Sequence, residues 1–124
     1  MREATFSKYV PLRKSLVSDG WLTPNTYGNE FAHIENISAV YLFMLSRAFD
    51  FDEALVAYVG MSTKLQQRIS SHNILPLIDK PGFWVTRWFK PVPRADLRPT
   101  EARYIAQFNP PWNTIGRPRG VLLN

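Results

Sequence analysis

Ala39-Val40-Tyr41-Leu42-Phe43-Met44-Leu45 and, after a polar interval, Leu55-Val56-Ala57-Tyr58-Val59-Gly60 are the two stretches that decide the fold. The first is an unbroken apolar run, rich in aromatics and bounded by Ser38 and Ser46. Such a run, with no polar alternation, reads as a central strand buried on both faces. The second reads as another strand. The interval from Arg47 to Glu53 is polar and acidic, which suits a hairpin loop. An antiparallel pair follows, because a parallel connection needs a crossover of a dozen or more residues.

Working outward, Thr63 to His72 is expected to be a helix. Leu65, Arg68, Ile69 and His72 recur at helical spacing and share a face, and Ser62 or Thr63 can serve as N-cap. Pro81-Gly82 is a turn, and Phe83 to Phe89 (FWVTRWF) is a third strand rich in β-formers. A second helix runs from about Pro99 to Phe108, with Asp96 or Thr100 as its cap, and Pro110-Pro111 stops it. Upstream, residues 1–37 have mixed composition and little periodicity, with turn signals at Ser18-Asp19-Gly20 and Pro24-Asn25. They are expected to form an N-terminal arm, packed by Trp21, Leu22, Tyr27 and Phe31 onto a body spanning 38–124. The fold class is α/β (α+β), a small three-stranded antiparallel or mixed sheet flanked by helices, in a single domain.

The chain has 124 residues and a net charge of +5, unevenly spread. Residues 1–58 hold five Lys/Arg against seven Asp/Glu, whereas residues 59–124 hold ten against three. A basic half with few acids suits a polyanion such as nucleic acid, although a solvated basic surface reads the same way. Cysteine is absent, which excludes disulfides and Cys-ligated zinc. The N-terminal residues lack an apolar core of signal-peptide length, and no apolar run approaches a membrane span. A soluble, cytoplasmic protein is expected, without a membrane partner.

Three features look misplaced for a plain core. Arg68 and His72 share a helix face with Leu65 and Ile69. Glu101 lies along an apolar stripe with Ile105 and Phe108. Tyr41 and Tyr58 place hydroxyls in otherwise aliphatic strands. Each has an ordinary explanation taken singly: snorkelling, helix-dipole complementarity, or a satisfied buried phenol. Their combination resembles a known pattern. Residues 58–72, YVGMSTKLQQRISSH, look like the YIG half of the GIY-YIG nuclease signature, with Val59 in place of Ile. Ala39-Val40-Tyr41 stands where GIY is expected, with Ala for Gly, and Glu101 matches the family's metal-binding glutamate. Pro110-Pro111-Trp112-Asn113 is similar to the closing Pro-Pro-Leu-Asn. The resemblance covers roughly residues 38–113, and the separation of Tyr41 from Tyr58 is longer than usual.

The resemblance implies a metal-dependent endonuclease acting on DNA. Glu101 would hold Mg²⁺ (or Mn²⁺), a hard cation that prefers oxygen ligands. Arg68 offers a permanently charged, planar guanidinium matched to phosphate. By resemblance, Tyr41 takes the proton of the attacking water, Tyr58 positions the water or a phosphate oxygen, and His72 orients Tyr41 or relays a proton. Asn113 braces the site, and Ser62 supports the helix start. Lys64, Lys80, Arg87 and Lys90 are the basic residues expected to meet nucleic acid. A homodimer or a separate specificity partner is compatible with so short a chain. The rival reading is a non-catalytic module on the same fold that binds nucleic acid or protein. Trp84, Trp88 and Trp112 are expected to be core or interface anchors rather than base-stacking platforms.

Overall fold

A computed structural model describes residues 6–23, 37–47, 50–65 and 83–115. Strands β2 (Ala39–Arg47) and β3 (Asp50–Ser62) pair antiparallel, with Tyr41 opposite Gly60 and Phe43 opposite Tyr58. Strand β4 (Phe83–Pro91) pairs antiparallel along the other side of β2, with Phe43 also opposite Arg87. The reading of β2 as a central strand holds: its side chains from Ala39 through Ser46 are buried on both faces. Each fully buried large apolar side chain there stabilises the fold by about 1.5–3 kcal/mol.

The hairpin differs from the expected one. The acidic residues Asp50, Asp52 and Glu53 lie within β3, not in a loop running from Arg47 to Glu53. Arg47 pairs with Asp50, Ser46 pairs with Ala54, and the extra residues between form a register shift. A fourth strand, β1 (Ser7–Lys8), accounts for this. It pairs antiparallel with Ala54 and Glu53, so the last residue of the polar stretch has a strand partner on its outer side. The sheet therefore has four antiparallel strands in the order β1-β3-β2-β4, rather than three.

The N-terminal segment is woven into the sheet from edge to edge. After β1, helix α1 (Tyr9–Ser18) packs Tyr9, Leu12 and Leu16 on one sheet face, followed by the buried Trp21. Leu22 then exchanges two backbone hydrogen bonds with Phe89 at the outer side of β4, each 2.8 Å. Trp21 and Leu22 thus anchor the arm as expected; Tyr27 and Phe31 lie outside the described residues.

Alternation along β2 separates two apolar layers. Val40, Leu42 and Met44 join Val56, Val59 and Trp88 beneath α1 and helix α2 (Leu97–Phe108), which contributes Leu97, Tyr104, Ile105 and Phe108. Ala39, Tyr41, Phe43 and Leu45 join Leu55, Ala57, Phe89, Leu65 and Trp112 on the other face. Helix α2 begins two residues before Pro99, preceded by a single 3₁₀ turn at Arg94–Asp96. Asp96 occupies the N-cap position but makes no side-chain cap bond. Asn109 ends α2 in the left-handed conformation (φ 50°), its N–H bonded to the Ile105 carbonyl. Pro110 follows, and the chain passes from the helical face to the other, where α3 (Pro111–Ile115) seats Trp112. Trp88 and Trp112 are each 1% exposed, so both are core residues.

Candidate functional site

The face opposite α1 and α2 carries both strand tyrosines. A bulge makes this possible. Met44 pairs with Val56 while Phe43 pairs with Tyr58, which leaves Ala57 unpaired between them. The extra residue resets the alternation, so Leu55, Ala57 and Tyr58 all pack on the same face as Tyr41. The Tyr41 and Tyr58 ring centroids are 6.3 Å apart. The Phe43 ring touches both, at 5.7 Å from Tyr41 and stacked at 5.9 Å on Tyr58.

Gly60 fixes where the Tyr41 phenol lies. A Cβ at position 60 would stand 2.6 Å from both Cζ and the hydroxyl oxygen of Tyr41. The phenol tip therefore rests on bare backbone, and only glycine leaves room for it. Tyr41 is 1% exposed, whereas Tyr58 is half-buried, so Tyr58 is the more exposed of the two residues.

Asn113 holds the adjacent backbone. The Val59 N–H donates to Asn113 Oδ1 at 2.8 Å, and Asn113 Nδ2 donates to the Val59 carbonyl at 2.7 Å. The amide thus acts as a one-residue strand on the outer side of β3, beyond the short reach of β1. It locks the backbone between Tyr58 and Gly60. At the end of β3, Ser62 Oγ accepts the Lys64 N–H at 2.9 Å, a side-chain turn that closes the strand. The Leu65 N–H is held by the Ile37 carbonyl at 3.0 Å. Arg68, His72 and Lys80 lie outside the described residues.

Glu101 sits on α2, half-buried. Burial raises its pKa above the ordinary carboxylate value, opposed by the charge of Arg98. Its helical neighbours Leu97 and Ile105, one turn to either side, pack on the face opposite the two phenols. The structure therefore brings Tyr41, Tyr58, Ser62 and Asn113 together along β3, and holds Glu101 on the helix covering the other face.

The basic candidates separate into different environments. Lys64 is exposed. Lys90 is the hub of an internal cluster. Its Nζ donates to the Asp19 carbonyl (2.6 Å), to Asp19 Oδ1 (3.2 Å) and to the Tyr104 hydroxyl (2.8 Å). The Tyr104 hydroxyl donates in turn to Asp19 Oδ2. Burial opposes both charges. The mutual pairing and the Tyr104 hydroxyl outweigh it, so the Asp19 pKa is lowered and the Lys90 pKa raised. This cluster ties the end of α1 to β4 and α2. Arg87 is half-buried on the phenol face, between Val85 and Phe89 along β4. Sequence reasoning missed the Asp19–Lys90–Tyr104 cluster, whose partners are far apart in the chain. It also missed the placement of Arg87, which the alternation of FWVTRWF did carry.

Among the described residues no group of three or more His, Cys, Asp or Glu is gathered. No helix of the described residues is long and apolar enough to cross a membrane. Comparison with known proteins finds no matching family model, no matching curated protein and no matching solved structure.

Proposed function

We propose that this protein is a metal-dependent endonuclease of GIY-YIG type, hydrolysing DNA phosphodiester bonds. The observation that carries the reading is the phenol pair on one sheet face. Tyr41 is laid on Gly60, Tyr58 is set beside it by the bulge, and Asn113 clamps the backbone between. A plain core has no need of two neighbouring hydroxyls on a face so closely built. Arg68 and His72, which follow β3 in the sequence, are the guanidinium and imidazole of the proposed site.

Hydrolysis needs a proton acceptor for water, charge neutralisation at phosphorus and an oriented phosphate. Tyr58, the more exposed of the two residues, takes the acceptor position in this proposal, with Tyr41 orienting it, the reverse of the order the resemblance implies. Arg68 neutralises the phosphate oxygens. His72 relays the proton, since imidazole titrates near neutrality. Glu101 is chemically suited to hold Mg²⁺ or Mn²⁺: it is a half-buried carboxylate whose burial disfavours the charge, a state that a bound cation reverses. Such an ion supplies Lewis acidity at the phosphate and lowers the pKa of a bound water.

Purified protein with Mg²⁺ or Mn²⁺ is expected to nick plasmid DNA, and EDTA to stop it. Arg68→Ala and Glu101→Gln should each abolish cutting while keeping the parent's circular dichroism. Calorimetric titration of Mn²⁺ should show binding to the parent and none to Glu101→Gln. Undiminished cutting by either variant removes that residue's role. A second reading, a non-catalytic nucleic-acid-binding module, is favoured by one observation. The neighbours of Glu101 on α2 pack on the face opposite the phenols. It predicts salt-sensitive DNA binding with no metal-dependent cleavage.

A further inference from the structure

We infer that Arg87 is a phosphate-binding residue of the phenol face, gripping the DNA backbone beside the tyrosine pair; this rests on the nuclease reading for its ligand. The argument starts from β4. Its side chains alternate, and Val85 and Phe89 both pack into the layer that contains Tyr41. Arg87 lies between them and is therefore committed to the same face. Arginine in that position breaks an otherwise apolar row.

The register then places it. Phe43 on the central strand has Tyr58 opposite on one side and Arg87 opposite on the other. Tyr58, Phe43 and Arg87 thus form one transverse row across three strands. With strands spaced about 4.8 Å apart, the Arg87 and Tyr58 backbones are roughly 10 Å apart. A long side chain readily crosses one such interval. The next row on this face is Gly60, Tyr41 and Phe89, so Arg87 stands one strand from Tyr41 and two from Tyr58.

The two cations that β4 turns toward the protein body make the decisive contrast. Lys90, on the helical side, is fully answered: Asp19 supplies a carboxylate and a carbonyl, and Tyr104 a hydroxyl. Arg87 is half-buried, yet among the described residues no carboxylate and no hydrogen-bond acceptor meets it. Holding a charge partly out of water is unfavourable unless a counter-charge arrives. An anion that docks at the phenols satisfies that requirement. A planar guanidinium forks onto two phosphate oxygens, which a lysine cannot do. Arg87 is thus a positioning residue that holds the DNA backbone beside the phenols.

The experiment uses the full chain and a fluorescein-labelled duplex, read by anisotropy in EDTA over a range of salt. Arg87→Ala is expected to weaken binding about tenfold or more and to flatten the slope of log K against log salt by about one. Arg87→Lys should keep the slope, because the charge remains, and still lose affinity through the lost fork. Arg94→Ala, an exposed arginine beyond the end of β4, should change affinity less than twofold. If Arg87→Ala fails to fold by circular dichroism, Arg87→Gln and Arg87→Lys carry the comparison. The inference is overturned if Arg87→Ala binds like the parent, if it loses no more than Arg94→Ala, or if the parent binds no duplex. Binding that depends on Arg87 without Mg²⁺-driven cleavage overturns the nuclease reading and leaves this inference standing. Cleavage and binding both indifferent to Arg87 do the reverse.

Discussion

Replacing Gly60 by alanine tests the geometry on which the phenol pair depends. In a strand free of crowding, Gly→Ala stabilises by about 0.4–1 kcal/mol, because alanine has less backbone freedom to lose. Here the new methyl would stand 2.6 Å from Cζ and from the hydroxyl oxygen of Tyr41. Favourable non-bonded contacts lie near 3.5–4.0 Å, so the methyl intrudes by about 1 Å. Tyr41 is 1% exposed and packed on Phe43, so its ring cannot swing aside without giving up that packing. Overpacking of this kind costs about 1–3 kcal/mol. For a domain of this size each kcal/mol lowers Tm by roughly 3–6 °C. Gly60→Ala is therefore expected to melt well below the parent when followed by near-ultraviolet circular dichroism, although chain entropy alone predicts a rise. The same substitution in a Tyr41→Ala background should cost almost nothing, since the obstructing ring is gone. The coupling energy of that cycle should be about 1–3 kcal/mol. A single variant that melts at or above the parent temperature, or a penalty that persists without the ring, would refute the close approach of the phenol to Gly60. If the protein cuts DNA, displacing the phenol by about 1 Å should also lower the rate by about a hundredfold.

Asn113→Ala leaves the Val59 N–H and carbonyl without their partners, at about 1–3 kcal/mol each. Asn113→Asp keeps an acceptor for the N–H but has no donor for the carbonyl, so it should lose less, with hydrogen exchange at the Val59 amide ranking parent, Asp and Ala. Asp19→Asn should destabilise the protein at neutral pH, and the deficit should shrink in acid. The folded Asp19 pKa lies below its unfolded value of about 3.9, so the ionised carboxylate stabilises above that range and the gain is lost as pH falls through the folded value. Urea melts of parent and variant from pH 7 to pH 2 measure this, and a deficit constant across that range contradicts the pairing with Lys90. In the cleavage assay, Tyr58→Phe and Glu101→Gln should be non-additive, the double variant cutting no more slowly than the worse single, as for groups acting in one step; additive losses place them in separate functions.

The hairpin was legible in the sequence because an unbroken apolar run has only one comfortable place, the middle of a sheet. The acidic stretch misled because Asp50, Asp52 and Glu53 look like turn residues, while β1, which pairs with Glu53 and Ala54, is only two residues long and carries no pattern. Helix α1 did carry a signal: Tyr9, Leu12 and Leu16 fall at helical spacing, within a segment whose overall composition hides them. The motif gave the tyrosines and Asn113, but not the reason for Gly60. That reason is a contact across the pair β2/β3, visible only once Tyr41 is set opposite position 60. Lys90 could not be told from a surface lysine, because its partner Asp19 lies 71 residues away.

The bulge at Ala57 explains why this sheet can serve two masters. Without it, strict alternation from Leu55 would put Tyr58 and Gly60 on the helical face, against α1 and α2, and Tyr41 would face a side chain rather than bare backbone. One inserted residue keeps Leu55 and Ala57 in the core beside Leu45 and Phe43, and still turns the second tyrosine toward the first. The inserted residue falls where β3 lacks an outer neighbour, beyond the part that β1 pairs. The Asn113 amide supplies the missing neighbour there, two residues beyond the bulge. Bulge, clamp and glycine are therefore one device, since each fixes a degree of freedom that the others leave open. The same crossing of the chain around β3 leads from α2, which bears Glu101, to α3, which bears Asn113. Among the described residues, that edge of β3 is where the chain passes from the helical side to the phenol face, and in the proposed nuclease it is where a phosphate would meet groups from both.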